Sequence, residues 1–229
     1  EMIHKSSTQV PQNARIEVLH GPKYVSRGGK KLEAAFNAFD VNVTGSVCAD
    51  VGASTGGFTD CLLQHGAEKV YAIDVGYGLL HWKMRQDPRV VVMERTNARY
   101  LESLPEPIDF VTIDASFISL TLILPVVKDW FENLDGQVIA LIKPQFEAGR
   151  KAAAVHAGVI KDDAVHKQVL MDTLTESINL GYFPTGLIAS PIKGPKGNVE
   201  FLVDLRLKNV ENSKNMLAMV THAMHMKRE

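Results

Sequence analysis

Apolar runs short enough to be strands alternate with helix-like segments along most of the chain, and this order constrains the fold more than any other feature. Strands alternating with helices form βαβ units and a largely parallel sheet, whereas two final strands joined only by a loop indicate one antiparallel strand. The sequence therefore predicts an α/β fold with a doubly wound, Rossmann-like sheet of about seven strands, the last one antiparallel. The predicted strands are Val47–Val51, Val70–Asp74, Val90–Met93, Phe110–Asp114, Gln137–Ile142, Phe183–Ala189 and Val199–Leu207.

Helical spacing of apolar residues marks the segments between these strands. With 229 residues, of which 45% are hydrophobic, the chain is long enough to bury one substantial core. We expect residues 24–229 to form one domain, and the polar, irregular residues 1–23 to be a linker or the remnant of a missing N-terminal domain. Predicted helices begin near Lys31 after a break at Gly28-Gly29, near Phe58, near Leu120 (extending to Phe131), and at a cap formed by Asp162 or Asp163.

Composition and charge narrow the class of protein. No apolar run approaches the roughly 18–20 residues that cross a bilayer, and a signal peptide is not evident, so a soluble cytoplasmic protein without membrane binding is predicted. Cys48 and Cys61 lie in apolar runs without metal-type partners, which indicates reduced core residues and no metal site. Because the formal charge is only −1, the overall field does not favour nucleic acid, and any binding of nucleic acid depends on local basic clusters.

A glycine-rich loop, Gly52-Ala53-Ser54-Thr55-Gly56-Gly57, follows the first predicted strand. Ligands of open α/β sheets bind beyond the carboxyl ends of the strands, where this loop lies. Ser54 replaces the middle glycine of the dinucleotide fingerprint, so a pyrophosphate fits poorly. Asp74, 22 residues after Gly52 at the next strand end, suits a carboxylate that accepts ribose hydroxyls. The pattern favours a nucleoside without a pyrophosphate, such as S-adenosylmethionine, over a tight turn that binds nothing.

Three other strand ends or loops carry ionisable residues in apolar surroundings, namely Asp114, Lys143 and Glu200. A charged group in such a place needs a partner or a task. Each of them alone is as readily part of a structural ion pair as a catalytic group. Together with Lys31 they give the chain order Lys, Asp, Lys, Glu.

Five stretches of the sequence carry a resemblance to a known family: Tyr24–Leu32, Asp50–Thr59, Asp74–Gly78, Ile142–Glu147 and Gly194–Glu200. With these stretches in this order, residues from about Ile16 to Leu207 resemble the TlyA branch of the FtsJ-type ribose methyltransferases, also called haemolysin-like proteins. The resemblance implies a class I methyltransferase fold, S-adenosyl-L-methionine as cofactor, and cytidine 2′-hydroxyls of small- and large-subunit ribosomal RNA as substrate. Family members usually carry an S4-like RNA-binding module before this domain, and only its trailing edge, near Ala14 to His20, is expected in this sequence.

The resemblance also implies the site residues. The family's catalytic tetrad falls on Lys31, Asp114, Lys143 and Glu200, with Lys31 rather than Lys30 because the family places this lysine directly before Leu32. Residues expected to contact the cofactor are Asp50, Gly52, Ser54, Thr55, Gly56, Gly57, Phe58, Asp74, Val75, Glu94, Thr96, Asn97 and Asp114. Residues expected to bind ribosomal RNA or ribosomal subunits are Lys23, Arg27, Lys30, Arg150, Lys151, Lys193 and Lys196, although a solvated basic face would look the same.

Methyl transfer to oxygen needs a base, because a ribose hydroxyl is a poor nucleophile while it keeps its proton. We expect Lys143 to be this base, Lys31 to be the neighbouring cation, Asp114 to orient Lys143 and Glu200 to hold Lys31. Two other classes of protein stay open. One is an RNA-binding or ribosome-assembly factor without turnover, and the other is a membrane-active haemolysin, for which no pore-forming element is evident in the sequence.

Overall fold

A computed structural model describes residues 8–15, 21–133, 135–149, 158–194, 196–208 and 215–227, which contain a seven-stranded sheet flanked by helices. The strands are β1 Val47–Val51, β2 Lys69–Ile73, β3 Val90–Met93, β4 Phe110–Ile113, β5 Gln137–Ile142, β6 Phe183–Ala189 and β7 Phe201–Arg206. The helices are α1 Gly28–Ala38, α2 Gly57–Gln64, α3 Trp82–Gln86, α4 Leu124–Lys128, α5 Pro144–Glu147, α6 Asp163–Asn179 and α7 Met216–Met226, with 3₁₀ turns at Ala98–Tyr100 and Leu120–Leu122.

The strand order is β3-β2-β1-β4-β5-β7-β6. Strands β1 to β5 run parallel to one another, and β7 is antiparallel to both of its neighbours, β5 and β6. The chain moves outward from β1 to β3 and then returns to the other side of β1 at β4. The order therefore reverses between β1 and β4, which is where doubly wound sheets bind their ligands. The predicted fold class is confirmed.

Hydrophobic cores cover both faces of the sheet, which explains why the strands are nearly continuous apolar runs. One core packs Leu32 of α1, Leu62 of α2 and Met84 of α3 against the strands. The other contains Leu124 of α4 and Leu170 of α6. The carboxyl ends of the strands are thus fixed by packing on two sides, and the loops that follow them start from a rigid frame.

Helix α1 begins earlier than predicted, because Gly28 and Gly29 are its first two residues rather than a break before it. A Cβ atom at Gly29 would lie 2.3 Å from Cγ of Tyr24, so this glycine permits the close packing of the helix start. The predicted break was therefore wrong. The glycines there serve packing and do not interrupt the helix.

The helix predicted from Leu120 to Phe131 is also shorter, since the structure has a 3₁₀ turn followed by α4. Trp130 leaves the helical path because its carbonyl oxygen accepts a hydrogen bond from the N–H of Ile108 (3.0 Å), which leads into β4. Its indole N–H donates to the carbonyl oxygen of Leu101 (2.8 Å). These long-range bonds end the helix before its apolar pattern ends.

Cys48 and Cys61 are buried and free, as predicted. Within the part of the chain that the structure describes, no helix has both the length and the apolar character needed to cross a membrane. Residues 1–7 and 16–20 lie outside that part. The division of the chain at about residue 23 therefore stays a prediction.

Candidate active site

The loop between β1 and α2 adopts backbone conformations that favour glycine. Gly52 has a φ of +83°, and a Cβ atom there would lie 2.7 Å from the carbonyl oxygen of Asp114 at the end of β4. Gly56 has a φ of +90°, and its N–H donates to the carbonyl oxygen of Ala53 (2.7 Å). Glycine permits both the positive φ and the close approach. The loop therefore turns tightly and leaves a cavity beyond the ends of β1 and β4.

Asp74, directly after β2, presents a carboxylate that the backbone holds in place. Its Oδ2 accepts a hydrogen bond from the N–H of Ser54 (2.8 Å) and its Oδ1 accepts one from the N–H of Gly76 (2.7 Å). Each oxygen can accept a further hydrogen bond, as the hydroxyls of a ribose would offer. The adjacent cavity, called the Asp74 cavity below, has a volume of about 350 Å³. The predicted cofactor residues in its wall are Gly52, Ser54, Asp74, Val75, Thr96, Asn97 and Asp114.

Asp50 lies beneath the loop and not in the wall of the Asp74 cavity. Its side chain is fully buried, and its carboxylate accepts hydrogen bonds from the hydroxyls of Thr59 in α2 (2.7 Å) and Thr112 in β4 (3.0 Å). Burial raises the pKa of Asp50 to about 6. The sequence pattern predicts a cofactor contact here, but the strand pleat directs this side chain between β1, β4 and α2. Asp50 therefore supports the loop from within the protein.

Glu94 is likewise occupied by neighbouring protein groups. It accepts a hydrogen bond from the N–H of Gly78 (2.8 Å) and forms an ion pair with Arg85, whose guanidinium holds the pKa of Glu94 below its ordinary value. Glu94 is not in the wall of the Asp74 cavity, so its assignment as a cofactor contact stays a prediction. Six of the predicted cofactor residues line a neighbouring cavity of about 440 Å³, namely Gly52, Ser54, Thr55, Gly57, Phe58 and Asp114. Gly52, Ser54 and Asp114 line the Asp74 cavity as well.

The four predicted catalytic side chains meet where α1, the ends of β4 and β5, and the segment before β7 converge. Nζ of Lys31 lies 2.6 Å from Oε2 of Glu200 and 3.9 Å from Oδ2 of Asp114. Nζ of Lys143 lies 2.6 Å from Oδ1 of Asp114. Lys31, Lys143 and Glu200 expose only 9%, 7% and 2% of their surface. Two cations and two carboxylates compensate one another, which allows this burial.

A larger cavity of about 650 Å³, called the Phe146 cavity below, lies beside Lys143. The rings of Phe117 and Phe146 form part of its wall, and their centroids lie 4.9 Å apart. Phe117 is 89% exposed, and its backbone has a φ of +64°. Oε1 of Gln145 is buried and lacks a hydrogen-bond partner among the described residues, so it can accept a bond from a ligand. Apolar rings with a few polar groups suit an aromatic base.

Ser116 and Phe117 belong to the walls of both the Asp74 cavity and the Phe146 cavity. A group bound in one cavity can therefore reach a group bound in the other at these residues. Sequence reasoning did not select Ser116, Phe117 or Gln145. The available signal was adjacency, since they directly follow the selected Asp114 and Lys143 in the segments Asp-Ala-Ser-Phe and Lys-Pro-Gln.

Glu147 connects the two loops that carry these residues. It is the last residue of α5 and accepts hydrogen bonds from the hydroxyl of Ser119 (2.5 Å) and the N–H of Leu120 (2.9 Å). Burial raises the pKa of Glu147. The segment after β4 is thereby tied to the segment after β5, which keeps Ser116 and Lys143 on facing loops.

The predicted RNA-binding residues divide between cavity walls and other surfaces. Arg27 and Lys193 line the cavity of about 440 Å³, and Lys196 lines the Phe146 cavity. Lys23 instead pairs with Glu33, which compensates its charge. Lys30 is exposed on α1, and Arg150 and Lys151 lie outside the described residues. The structure thus brings Arg27 and Lys193 together, although they are far apart in sequence.

Comparison with known proteins gives consistent matches. The profile of the FtsJ-like methyltransferase family matches residues 24–207. YqxC of Bacillus subtilis (strain 168), described as a candidate rRNA methyltransferase, is 48% identical over 210 residues, which cover 89% of this chain and 73% of YqxC. The 16S/23S rRNA (cytidine-2′-O)-methyltransferase TlyA of Mycobacterium tuberculosis is 43% identical over 206 residues, with 88% and 76% covered. A crystal structure of a candidate hemolysin from Lactococcus lactis, 46% identical, covers 87% of this chain and 97% of its own with a TM-score of 0.80.

Proposed function

Since the chain belongs to the FtsJ-like methyltransferase family, we propose that it transfers a methyl group from S-adenosyl-L-methionine to a cytidine 2′-hydroxyl of ribosomal RNA. The observation that carries the proposal is the cluster of Lys31, Asp114, Lys143 and Glu200, three of them buried, beside two cavities that share a wall. A methyl donor and a methyl acceptor can be held in separate cavities there, with a candidate base next to their junction.

The Asp74 cavity fits the donor. Asp74 offers two fixed carboxylate oxygens to ribose hydroxyls, and Gly52 leaves the backbone open to close approach by the ligand. Thr96 and Asn97 supply polar groups in the same wall. S-adenosylmethionine bound there would supply a methyl group activated by a positively charged sulfur.

The clustered side chains divide the proton chemistry among them. Lys143 is the base that finally holds the proton lost by the ribose oxygen, and Asp114 fixes its amine at 2.6 Å. Lys31, held by Glu200, compensates the charge of Asp114 during the proton transfer. Because the carboxylates and cations are already in place, little reorganisation is needed during the reaction.

The Phe146 cavity fits a nucleotide taken out of an RNA stack. Proteins that recognise single-stranded RNA stack bases on aromatic rings, as Phe117 and Phe146 allow, and bind phosphates with basic residues. Arg27, Lys193 and Lys196 line the cavities around the cluster. The names of the two curated relatives given above support ribosomal RNA as the polymer, and that of the tuberculosis relative supports cytidine as the nucleoside.

The test is to incubate the full-length protein with methyl-labelled S-adenosylmethionine and purified small or large ribosomal subunits, and to analyse the RNA as nucleosides. Label in 2′-O-methylcytidine is the expected result. Binding of subunits without label would instead indicate an assembly factor, and label in a base or in protein would contradict the proposed acceptor. Lysis of erythrocytes, measured in parallel, tests the activity that the name hemolysin implies.

A further inference from the structure

Building on the proposed function, we propose that Ser116 relays the proton from the ribose 2′-oxygen to Lys143. Ser116 is exposed and lies in the walls of both cavities, whereas Lys143 is buried and lies in the wall of the Phe146 cavity but not of the Asp74 cavity. In the proposed function the methyl donor lies in the Asp74 cavity and the nucleotide lies in the Phe146 cavity. The reacting ribose oxygen must therefore come to the wall that the two cavities share. At that wall the exposed hydroxyl of Ser116 stands in front of the amine.

The hydrogen bonds of Lys143 support this order. Among the described residues, its Nζ has three bonding partners: Oδ1 of Asp114 at 2.6 Å, Oγ of Ser116 at 2.9 Å and the carbonyl oxygen of Asp114 at 3.4 Å. The two oxygens of Asp114 can only accept, and the hydroxyl of Ser116 can also donate. A neutral amine has two hydrogens and one lone pair. In the structure Nζ donates to all three oxygens. When the amine is neutral and keeps its two hydrogens on Asp114, its lone pair faces Ser116.

The relay moves two protons and leaves every group with a normal valence. As the ribose oxygen bonds to the methyl carbon and the carbon–sulfur bond breaks, the 2′-oxygen gives its proton to Oγ of Ser116. The hydroxyl proton of Ser116 moves to Nζ of Lys143 in the same step. Lys143 ends as an ammonium group beside Asp114, and Ser116 ends as a hydroxyl group, as it began.

Contacts at two points hold the loop that carries Ser116. Phe117 has a φ of +64°, in the left-handed region, and packs its ring against Phe146. Glu147 holds the same loop through Ser119 and Leu120. A relay needs its oxygen at hydrogen-bond distance from both the donor and the acceptor of the proton, and a loop fixed at both of these points satisfies that need.

The experiment measures single-turnover methylation of ribosomal subunits by wild type, Ser116→Ala and Ser116→Thr at saturating S-adenosylmethionine. We expect Ser116→Ala to lower the rate by about 10- to 100-fold, since a positioned proton-transfer group is lost. Ser116→Thr keeps a hydroxyl and should be at least about tenfold faster than Ser116→Ala. Calorimetry with S-adenosylmethionine should show that both variants still bind it.

Rates in mixtures of light and heavy water separate a relay from a merely positional role. Two protons in flight give a curved dependence of rate on deuterium fraction, and one proton gives a straight line. We expect curvature for wild type and a straight line for Ser116→Ala. A wild-type rate in Ser116→Ala, or a straight line for wild type, would overturn the relay. If the wild type places no methyl group on a ribose oxygen, the proposed function itself fails, which is a different result.

Discussion

At Lys143, the choice between a base and a structural ion pair leads to opposite expectations for one conservative substitution. If Lys143 receives the proton, Lys143→Ala should cut methyl transfer by about 10² to 10⁴ and leave cofactor binding nearly intact. Lys143→Arg should fail as well, because a guanidinium stays protonated. An ion pair to Asp114 at 2.6 Å could survive as an arginine pair. Single-turnover methylation decides, and an active arginine variant would remove the base role.

Asp74 allows a second prediction for a single residue, this time for the cofactor. Asp74→Ala should weaken binding of S-adenosylmethionine at least about tenfold, or roughly 1.4 kcal/mol, since it removes acceptors for the ribose and frees the N–H groups of Ser54 and Gly76. Asp135→Ala is the matched control, because Asp135 lies just before β5, at the amino ends of the parallel strands and away from Asp74. Calorimetry provides both affinities. Unchanged affinity in a folded Asp74→Ala protein would remove Asp74 from the site.

Individual residues differ in how far the sequence predicts them. Asp74 and Lys143 follow apolar runs, so strand periodicity alone places them at strand ends. The contact of Ser116 with Lys143 depends on a loop whose shape includes a left-handed Phe117. That conformation is rare for a bulky residue and needs support from elsewhere in the chain. No local pattern in the sequence contains that support. Adjacency to Asp114 could have drawn attention to Ser116, but its contact with Lys143 could not be predicted.

Among the elements, β1, α2 and β4 are joined at Asp50 through Thr59 and Thr112. Burial raises the pKa of Asp50 from its ordinary 3.8 to about 6. Between these two pH values the native protein holds a proton that the unfolded chain has lost. The contribution of this group to stability is therefore full at low pH and falls as pH rises to about 6, by ~3 kcal/mol in total.

Replacing Asp50 by asparagine should remove that fall, because a neutral amide keeps an oxygen acceptor and does not ionise. We expect Asp50→Asn to be more stable than wild type above about pH 6. Asp87→Asn should instead be less stable than wild type at neutral pH, since Arg89 holds the pKa of Asp87 below its ordinary value and the ionised carboxylate therefore stabilises the native state. Urea unfolding from pH 4 to pH 8 gives the free energy of unfolding of each protein. The same pH dependence in wild type and Asp50→Asn would contradict the assignment.

Element boundaries follow the sequence where the element is determined locally. The bounds of β5, Gln137–Ile142, are those predicted, because Gly136 and Lys143 bracket one short, almost entirely apolar run. The predicted helix to Phe131 instead ends at Lys128, since hydrogen bonds from distant segments capture Trp130. Apolar spacing shows which face an element buries, but it does not contain the partners that end it.

At the scale of the whole molecule, topology explains why four distant residues meet. Asp114 and Lys143 follow the parallel strands β4 and β5, so they lie at the carboxyl edge of the sheet. Glu200 comes just before β7, and an antiparallel strand starts at the edge where its neighbour β5 ends. The fold class therefore predicts their proximity. The pairing of Lys31 with Glu200 joins residues 169 positions apart and needs the structure.

Charge distribution limits how the proposed RNA substrate would bind to the molecule. The formal charge is only −1, so no strong overall field attracts phosphates. Lys23 is compensated by Glu33, whereas Arg27, Lys193 and Lys196 line the cavities near the cluster. Binding of RNA should therefore be weak and should depend on a few phosphate contacts at this edge of the sheet.

We expect the affinity for single-stranded ribosomal RNA to fall on the order of 20-fold between 50 and 200 mM salt, as three neutralised phosphates would give. Lys193→Ala should weaken binding at low salt and reduce the slope of log affinity against log salt by about 0.7. Lys208→Ala is the matched control. Lys208 follows β7, beside the start of β5 and away from the cluster, and it pairs with Asp135 at 3.1 Å. Fluorescence anisotropy with labelled RNA gives both slopes. Tight binding that salt does not change, or an equal effect of Lys208→Ala, would show that RNA is not held through this edge.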